Sequence, residues 1–346
     1  MRSLTLNNGL ALQQQSSNGD SSRAGQVFNG EAYIGLAHPT WGEFRFGRNA
    51  GVLADSILAY DPIPGSYAFS ALGFSATVNG GTGATQSARL DSSIKYANAI
   101  GPVRLAALYG IAGDDRGGEA YEVGLGVDFT GSLKGLSVDG GYARKTDAIA
   151  ASALSAANCT TLHLVPGSTC DIGLVNATIS DNTVTTLLAK YAVGKATIYG
   201  GFETIHYANP SDPLTSGSAL GTSVFTFSNN AFVSDRVLNV TWAGAKYEIA
   251  PHLTLAGAWY HFDQNNFATT TSGRPTSCTT AGQSRANIQS NCAGRENFVS
   301  FLVDYQITQR LELYAGAMWS EVSGGLASGF LQAQSIDPTI GARFRF

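Results

Sequence analysis

Through most of this 346-residue chain, apolar and non-apolar residues trade places at every step. Val299, Phe301, Val303, Tyr305 and Ile307 alternate with Ser300, Leu302, Asp304 and Gln306, and Tyr121, Val123, Leu125, Val127 and Phe129 alternate with Glu122, Gly124, Gly126 and Asp128. A two-residue period belongs to a strand whose two faces meet different surroundings. The second face here is small or charged, not merely polar. The pattern predicts strands at 27–37, 42–49, 88–97, 102–112, 118–129, 135–146, 182–193, 195–207, 235–249, 252–263, 295–307, 310–320 and 336–346. Short turns at His38–Trp41, Asn98–Gly101, Thr130–Lys134, Gly194, Ala250–Pro251 and Thr308–Gln309 take turns with longer connections at 50–87, 113–117, 147–181, 208–234, 264–294 and 321–335. The expected architecture is an up-and-down antiparallel sheet with tight turns at one end and loops at the other.

Composition narrows the surroundings of such a sheet. Only 13% of residues are charged, against about 25% in an ordinary soluble domain. With a net charge of −4 and no basic run, nucleic acid is not an expected partner. No stretch approaches the roughly 18 uninterrupted apolar residues of a spanning helix, and mean hydropathy is +0.01. Aromatic content of 10% argues against disorder. Several long loops in a compact soluble domain are rare. A closed sheet in lipid accommodates all of this, because hydrocarbon demands that every backbone N–H and C=O be paired within the protein. Its outer face is apolar and its lumen wet, so hydropathy averages to nothing while alternation stays strict. Tyr96, Phe129, Tyr191, Tyr247, Tyr305 and Phe346 end strands beside the short turns or the C-terminus, the expected place of an interfacial aromatic girdle.

The beginning of the chain carries no secretory signal, and residues 13–22 read as a solvated loop. Four cysteines allow three pairings; the local one, Cys159–Cys170 and Cys278–Cys292, is expected, which implies an oxidising compartment and a chain that is the mature or truncated part of something longer. A zinc site at Cys159, His163 and Cys170 has the wrong spacing and lacks a fourth ligand, so neither metal nor cofactor is expected. Nor is an enzyme. His38 and His252 fall in turns, His163 in a loop, and His206 and His261 near strand ends, with no Gly-x-Ser-x-Gly or His-Glu-x-x-His motif beside them.

Ala32-Tyr33-Ile34-Gly35-Leu36, a turn, and Gly42-Glu43-Phe44-Arg45-Phe46-Gly47-Arg48-Asn49 resemble the fourth and fifth strands of general-diffusion porins of Gram-negative bacteria. Gly51-Val52, Asp55 and Tyr60-Asp61 resemble the start of that family's third loop, and Gly341-Ala342-Arg343-Phe344-Arg345-Phe346 its terminal strand. The resemblance implies a transmembrane antiparallel porin barrel over 27–346, with 50–87 folded into the lumen as the constriction loop and 1–26 as the remnant of loop 2. Thirteen strands against the family's roughly 16 imply that three strands and a signal peptide precede this sequence. Pro62-Ile63-Pro64-Gly65-Ser66 stands where the family has an acidic element, and Gly30 where it has a base.

The same resemblance implies an outer-membrane, water-filled channel for passive diffusion of small hydrophilic solutes and ions. Charges across its constriction set a transverse field. Asp55 and Asp61 are expected on the loop side, with Arg45, Arg48, Arg89, Lys95 and Arg104 opposite. Alternation itself gives Arg45, Arg89, Lys95 and Arg104 lumen-facing parity; Arg48 rests on the resemblance and needs a bulge. The prevalence of bases points to a weak anion preference. Implied partners are outer-membrane lipid and lipopolysaccharide, two further copies in a homotrimer, and the outer-membrane assembly machinery that reads Phe344 and Phe346. The competing expectations are a substrate-selective channel for sugars or organic anions and a soluble β-rich binding protein.

Overall fold

The computed structural model describes residues 31–64, 68–74, 89–111, 118–153, 175–213, 219–220, 223–229, 231–267, 269–271, 274–276, 293–327 and 332–344. The strands are β1 (Ala32–His38), β2 (Gly42–Ala50), β3 (Arg89–Ile100), β4 (Val103–Gly110), β5 (Ala120–Asp128), β6 (Leu136–Ala153), β7 (Val175–Val193), β8 (Ala196–Ala208), β9 (Ala219–Leu220), β10 (Ser223–Asn229), β11 (Arg236–Ala250), β12 (Leu253–Gln264), β13 (Thr269–Thr271), β14 (Arg274–Thr276), β15 (Gly294–Gln306), β16 (Leu311–Gly324) and β17 (Gln334–Phe344). Thirteen of them form one continuous antiparallel path, β1 to β8, then β11, β12, β15, β16 and β17. They correspond one for one to the thirteen segments that alternation predicts. No pairing joins β1 to β17 among the described residues.

The two faces differ as alternation requires. Phe301 and Phe344 are 52% and 61% exposed, with Ile34, Leu36, Leu125, Leu187, Ile198 and Ile340 also on the outer face. Isoleucine, leucine and phenylalanine in that position are stable only against hydrocarbon. Tyr191, Tyr247 and Tyr305 stand exposed beside the short turns, where a phenol reaches water while its ring stays in lipid. The inner face carries Glu122, Asp139, Trp242, Tyr260 and Glu312, all buried or half-buried.

The connections hold more structure than the sequence suggests. Segment 50–87 contains helices α1 (Val52–Ala59) and α2 (Ala71–Phe74). The expected loop at 147–181 is largely strand: β6 and β7 run 18 and 19 residues, register with each other out to Ala153 and Val175, and shift register once between Lys145 and Ala148. At roughly 3.3 Å per residue each is about 60 Å long, twice the roughly 30 Å of hydrocarbon, so this hairpin stands clear of the bilayer. β10 adds to it in parallel through Phe225–Asn229, and β13 and β14 form a separate small hairpin.

One register shift changes a sequence expectation. Between β2 and β3, Gly47 faces Ser93 but Asn49 faces Leu90, so β3 carries an extra residue near Ser92, whose φ is 49°. The bulge swaps the parity of everything before it. Leu90, not Arg89, therefore joins the inner face with Ser93 and Lys95, and is 2% exposed.

Phe301 lies near the middle of β15 on the lipid face. Phe301→Arg is expected to cost about 2–4 kcal/mol of folding stability in bilayers, while Phe301→Leu costs less than half of that. Urea titration of the protein folded into phospholipid vesicles measures both; equal values would refute the lipid-facing assignment.

Candidate functional site

Residues 51–64 and 68–74 lie against the inner face of the sheet, and small residues make room for them. Gly124 and Gly141 sit opposite each other on β5 and β6. A Cβ on Gly124 would come within 2.8 Å of Val52 Cγ1, and one on Gly141 within 3.2 Å of Leu53 Cδ1. The glycines thus form a shallow trough for α1, which explains why the inner face of β5 is small where it is not charged. Val52, Leu53, Ala54 and Ile57 are buried there, together with Ile63, Phe69 and Leu72 further along the segment. Each large aliphatic side chain so placed is worth about 1.5–3 kcal/mol.

Polar contacts fix the segment at both ends. Gly51, the N-cap of α1, offers no capping side chain. Glu122 of β5 takes that role, its Oε2 accepting from the Leu53 amide at 3.0 Å; a carboxylate at a helix N-terminus meets both orphan donors and the positive end of the dipole. The Tyr60 hydroxyl donates to Asp139 at 2.7 Å, and its backbone carbonyl accepts from Trp242 Nε1 at 3.0 Å. Burial and the neighbouring Asp139 push the Tyr60 phenol up, so it remains a donor. Lys190 donates to the Ala59 carbonyl at 3.3 Å and stands over the Tyr60 ring.

The charged residues expected at the constriction separate into three groups. Arg45, Lys95, Arg104 and Asp55 line one cavity of about 780 Å³, together with Glu43 and Asp139. Every base there is matched: Arg45 by Glu43 at 2.8 Å and Glu31 at 3.4 Å, Lys95 by Asp55 at 2.6 Å, and Arg104 by both Asp128 and Asp139. Asp61 is placed otherwise than expected. It is 1% exposed and accepts from the Ile63 amide at 3.0 Å, from the Tyr260 hydroxyl at 2.7 Å and from Ser70. It ties the loop to β12 and does not border the cavity of Asp55. Arg48 and Arg89 do not border it either: Arg48 is 6% exposed at the β2–β3 bulge, and the same bulge turns Arg89 off the face of Lys95. Sequence reasoning placed Glu122 on the inner face without its capping role, and did not single out Lys190 or Lys246. Inward parity was the available signal for all three, but nothing in the sequence says which inward charges find partners.

Cys159, Cys170, Cys278, Cys292 and Phe346 lie outside the described residues. Phe344 ends β17, paired with Leu311 and exposed on the outer face.

A model of the Gram-negative porin family matches residues 3–325. The chain belongs to that family. It is therefore an outer-membrane channel protein. Its fold is that of solved porins: an OmpT of Vibrio cholerae is 17% identical over 91% of this chain and 80% of its own, with a TM-score of 0.55. An anion-selective porin from Comamonas acidovorans is 15% identical over 92% of this chain and 79% of its own, with a TM-score of 0.57. No curated protein matches the sequence significantly.

Asp61 gives this porin a pH dependence of calculable sign. Burial, the largest influence, pushes its carboxyl up; Ser70, the Ile63 amide, Tyr260 and the more distant Lys246 pull it down without cancelling the rise. A carboxyl raised by docking contributes docking stability that is fully present below the ordinary value of about 3.9 and is lost as pH climbs through the raised one. Open-channel current noise from loop motion is expected to grow over that interval in the native protein and to stay flat in Asp61→Asn. Glu122→Ala removes a cap worth about 0.5–2 kcal/mol and raises the noise at every pH. Wild-type noise independent of pH would contradict the assignment.

Proposed function

We propose that this porin conducts small hydrophilic solutes and ions by passive diffusion, through a lumen narrowed by residues 51–74, with a weak preference for anions. The observation that carries the preference is the state of the lysines, not the number of bases. Arg45, Lys95 and Arg104 are outnumbered by the carboxylates paired to them, Glu31, Glu43, Asp55, Asp128 and Asp139, so that region offers no surplus positive charge to a passing ion. Lys190 and Lys246 differ. Lys190 binds a backbone carbonyl, Lys246 stands 5.8 Å from the Tyr199 ring centre, and neither forms an ion pair with a described carboxylate. Asp128 stands near Lys190, and Asp61 and Asp304 near Lys246, farther off than an ion pair; an ammonium so loosely balanced in a low-dielectric passage raises local anion concentration.

The reading includes no enzymatic chemistry. His38 is engaged as a turn cap, accepting from the amides of Thr40 and Trp41, and His261 bonds Asn297 while stacked on Trp259 on the outer face. We further infer a homotrimer, the arrangement typical of porins, delivered by the outer-membrane assembly machinery through Phe344 and Phe346 and seated among lipid and lipopolysaccharide. Residues 1–26 are assigned to loop 2, residues 50–87 to the constriction loop, and Cys159–Cys170 and Cys278–Cys292 to disulfides, on sequence grounds alone.

In planar bilayers across a KCl gradient, the wild type is expected to give a reversal potential on the anion side of zero. Lys190→Ala combined with Lys246→Ala shifts it toward cations, and by more than Arg45→Ala does, because the pair removes two positive charges from the lumen and Arg45→Ala removes one. A clear cation preference in the wild type would refute the proposal.

A further inference from the structure

The second half of the docked segment borders a different space. Pro62, Ile63 and Phe69 form one wall of a cavity of about 640 Å³, and Lys246, Asp304 and Arg343 stand among the residues of the other. That volume lies within the roughly 300–1,000 Å³ of small-molecule pockets. The first wall is apolar and rigid: two prolines flank Ile63, and the Phe69 ring, 1% exposed, meets Tyr314 edge-on with centroids 6.2 Å apart. A hydrated chloride ion gains nothing from such a wall, whereas a solute with an apolar body gains by leaving water. Edge-on aromatic contacts further favour a flat ring.

The opposite wall supplies the polar half of the recognition. Glu312 holds Arg343 at 2.7 Å, but Lys246 forms no ion pair with a described carboxylate. Asp61 and Asp304 act on it only from beyond ion-pair distance, so its ammonium keeps N–H donors to offer, and a carboxylate is its strongest small-molecule partner. Asp304 and Glu312 border the same cavity, so a second negative charge on the solute would be repelled. We propose that this cavity is a binding site for aromatic monocarboxylates, which dwell there while crossing the pore, the ring among Pro64, Ala68 and Tyr314, backed by Phe69, and the carboxylate on Lys246. The proposal rests on the channel reading above and adds a solute class to it.

The test uses the full chain in planar bilayers in KCl. Benzoate is expected to reduce the current with a saturable concentration dependence, at concentrations where acetate, lacking the ring, and terephthalate, carrying a second carboxylate, have little effect. Lys246→Gln and Phe69→Ala each raise the half-blocking concentration of benzoate about ten-fold, the worth of one charge-assisted contact or one buried side chain. Equal effects of benzoate and acetate in the wild type would overturn the proposal, as would block unchanged in both variants. KCl conductance steps recorded in the same membranes separate the two levels: steps without selective block reject the site alone, and an absence of steps rejects the channel reading along with it.

Discussion

A backbone in hydrocarbon has no water to bond with, so each of its N–H and C=O groups must find a partner in the protein. The thirteen-strand ladder from β1 to β17 meets that demand between every two neighbouring strands on its path. Once the ladder is in place, side chains are sorted by parity. Ile198 and Phe202 go to lipid while Glu203 and Ile205 turn inward on the same strand, with no freedom to do otherwise. The inner face is thereby released from the need to be apolar. It holds acids, bases, tyrosines and glycines that no lipid-facing position would tolerate.

That freedom is used first to seat a loop. A helix as short as α1 is not stable by itself, and its own sequence gives it a glycine cap. The wall provides what the helix lacks: a trough at Gly124 and Gly141, a cap from Glu122, and an indole donor from Trp242 at its far end. The Asp61 knot then holds the following residues to Tyr260. Contacts from β5, β6, β11 and β12 thus fix a segment that has little local reason to be ordered.

The sequence revealed the wall far better than what lies inside it. Alternation is a local property, and every barrel strand is visible through it, since one mismatched step would place a charge in lipid. It fails where two residues occupy one step: the extra residue near Ser92 carries no composition signal, and it sends Leu90 inward in place of Arg89. Long strands also escaped notice beyond the membrane. Past Thr146 the β6–β7 hairpin no longer faces hydrocarbon, and the alternation that marked its beginning loses its cause. The docked segment was legible only by resemblance. Asp61 shows the limit: a carboxylate in a loop reads as solvated, and nothing local announces that Ser70 and Tyr260 enclose it.

Counting charges misleads for the same reason. Arg45, Lys95 and Arg104 read as a basic wall when acids on neighbouring strands and on the loop are not yet placed beside them. Folding converts that wall into dipoles, whose field falls off faster than that of a net charge. What reaches a passing ion is the residue of incomplete pairing, here Lys190 and Lys246. Both lie on the inner face near Tyr199, opposite the stretch of loop Pro62-Ile63-Pro64, which carries no charge. An acidic loop at that height would have paired with them. The uncharged stretch Pro62-Ile63-Pro64 therefore does two things at once: it gives Lys190 and Lys246 no ion-pair partner, and it sets an apolar wall across from Lys246.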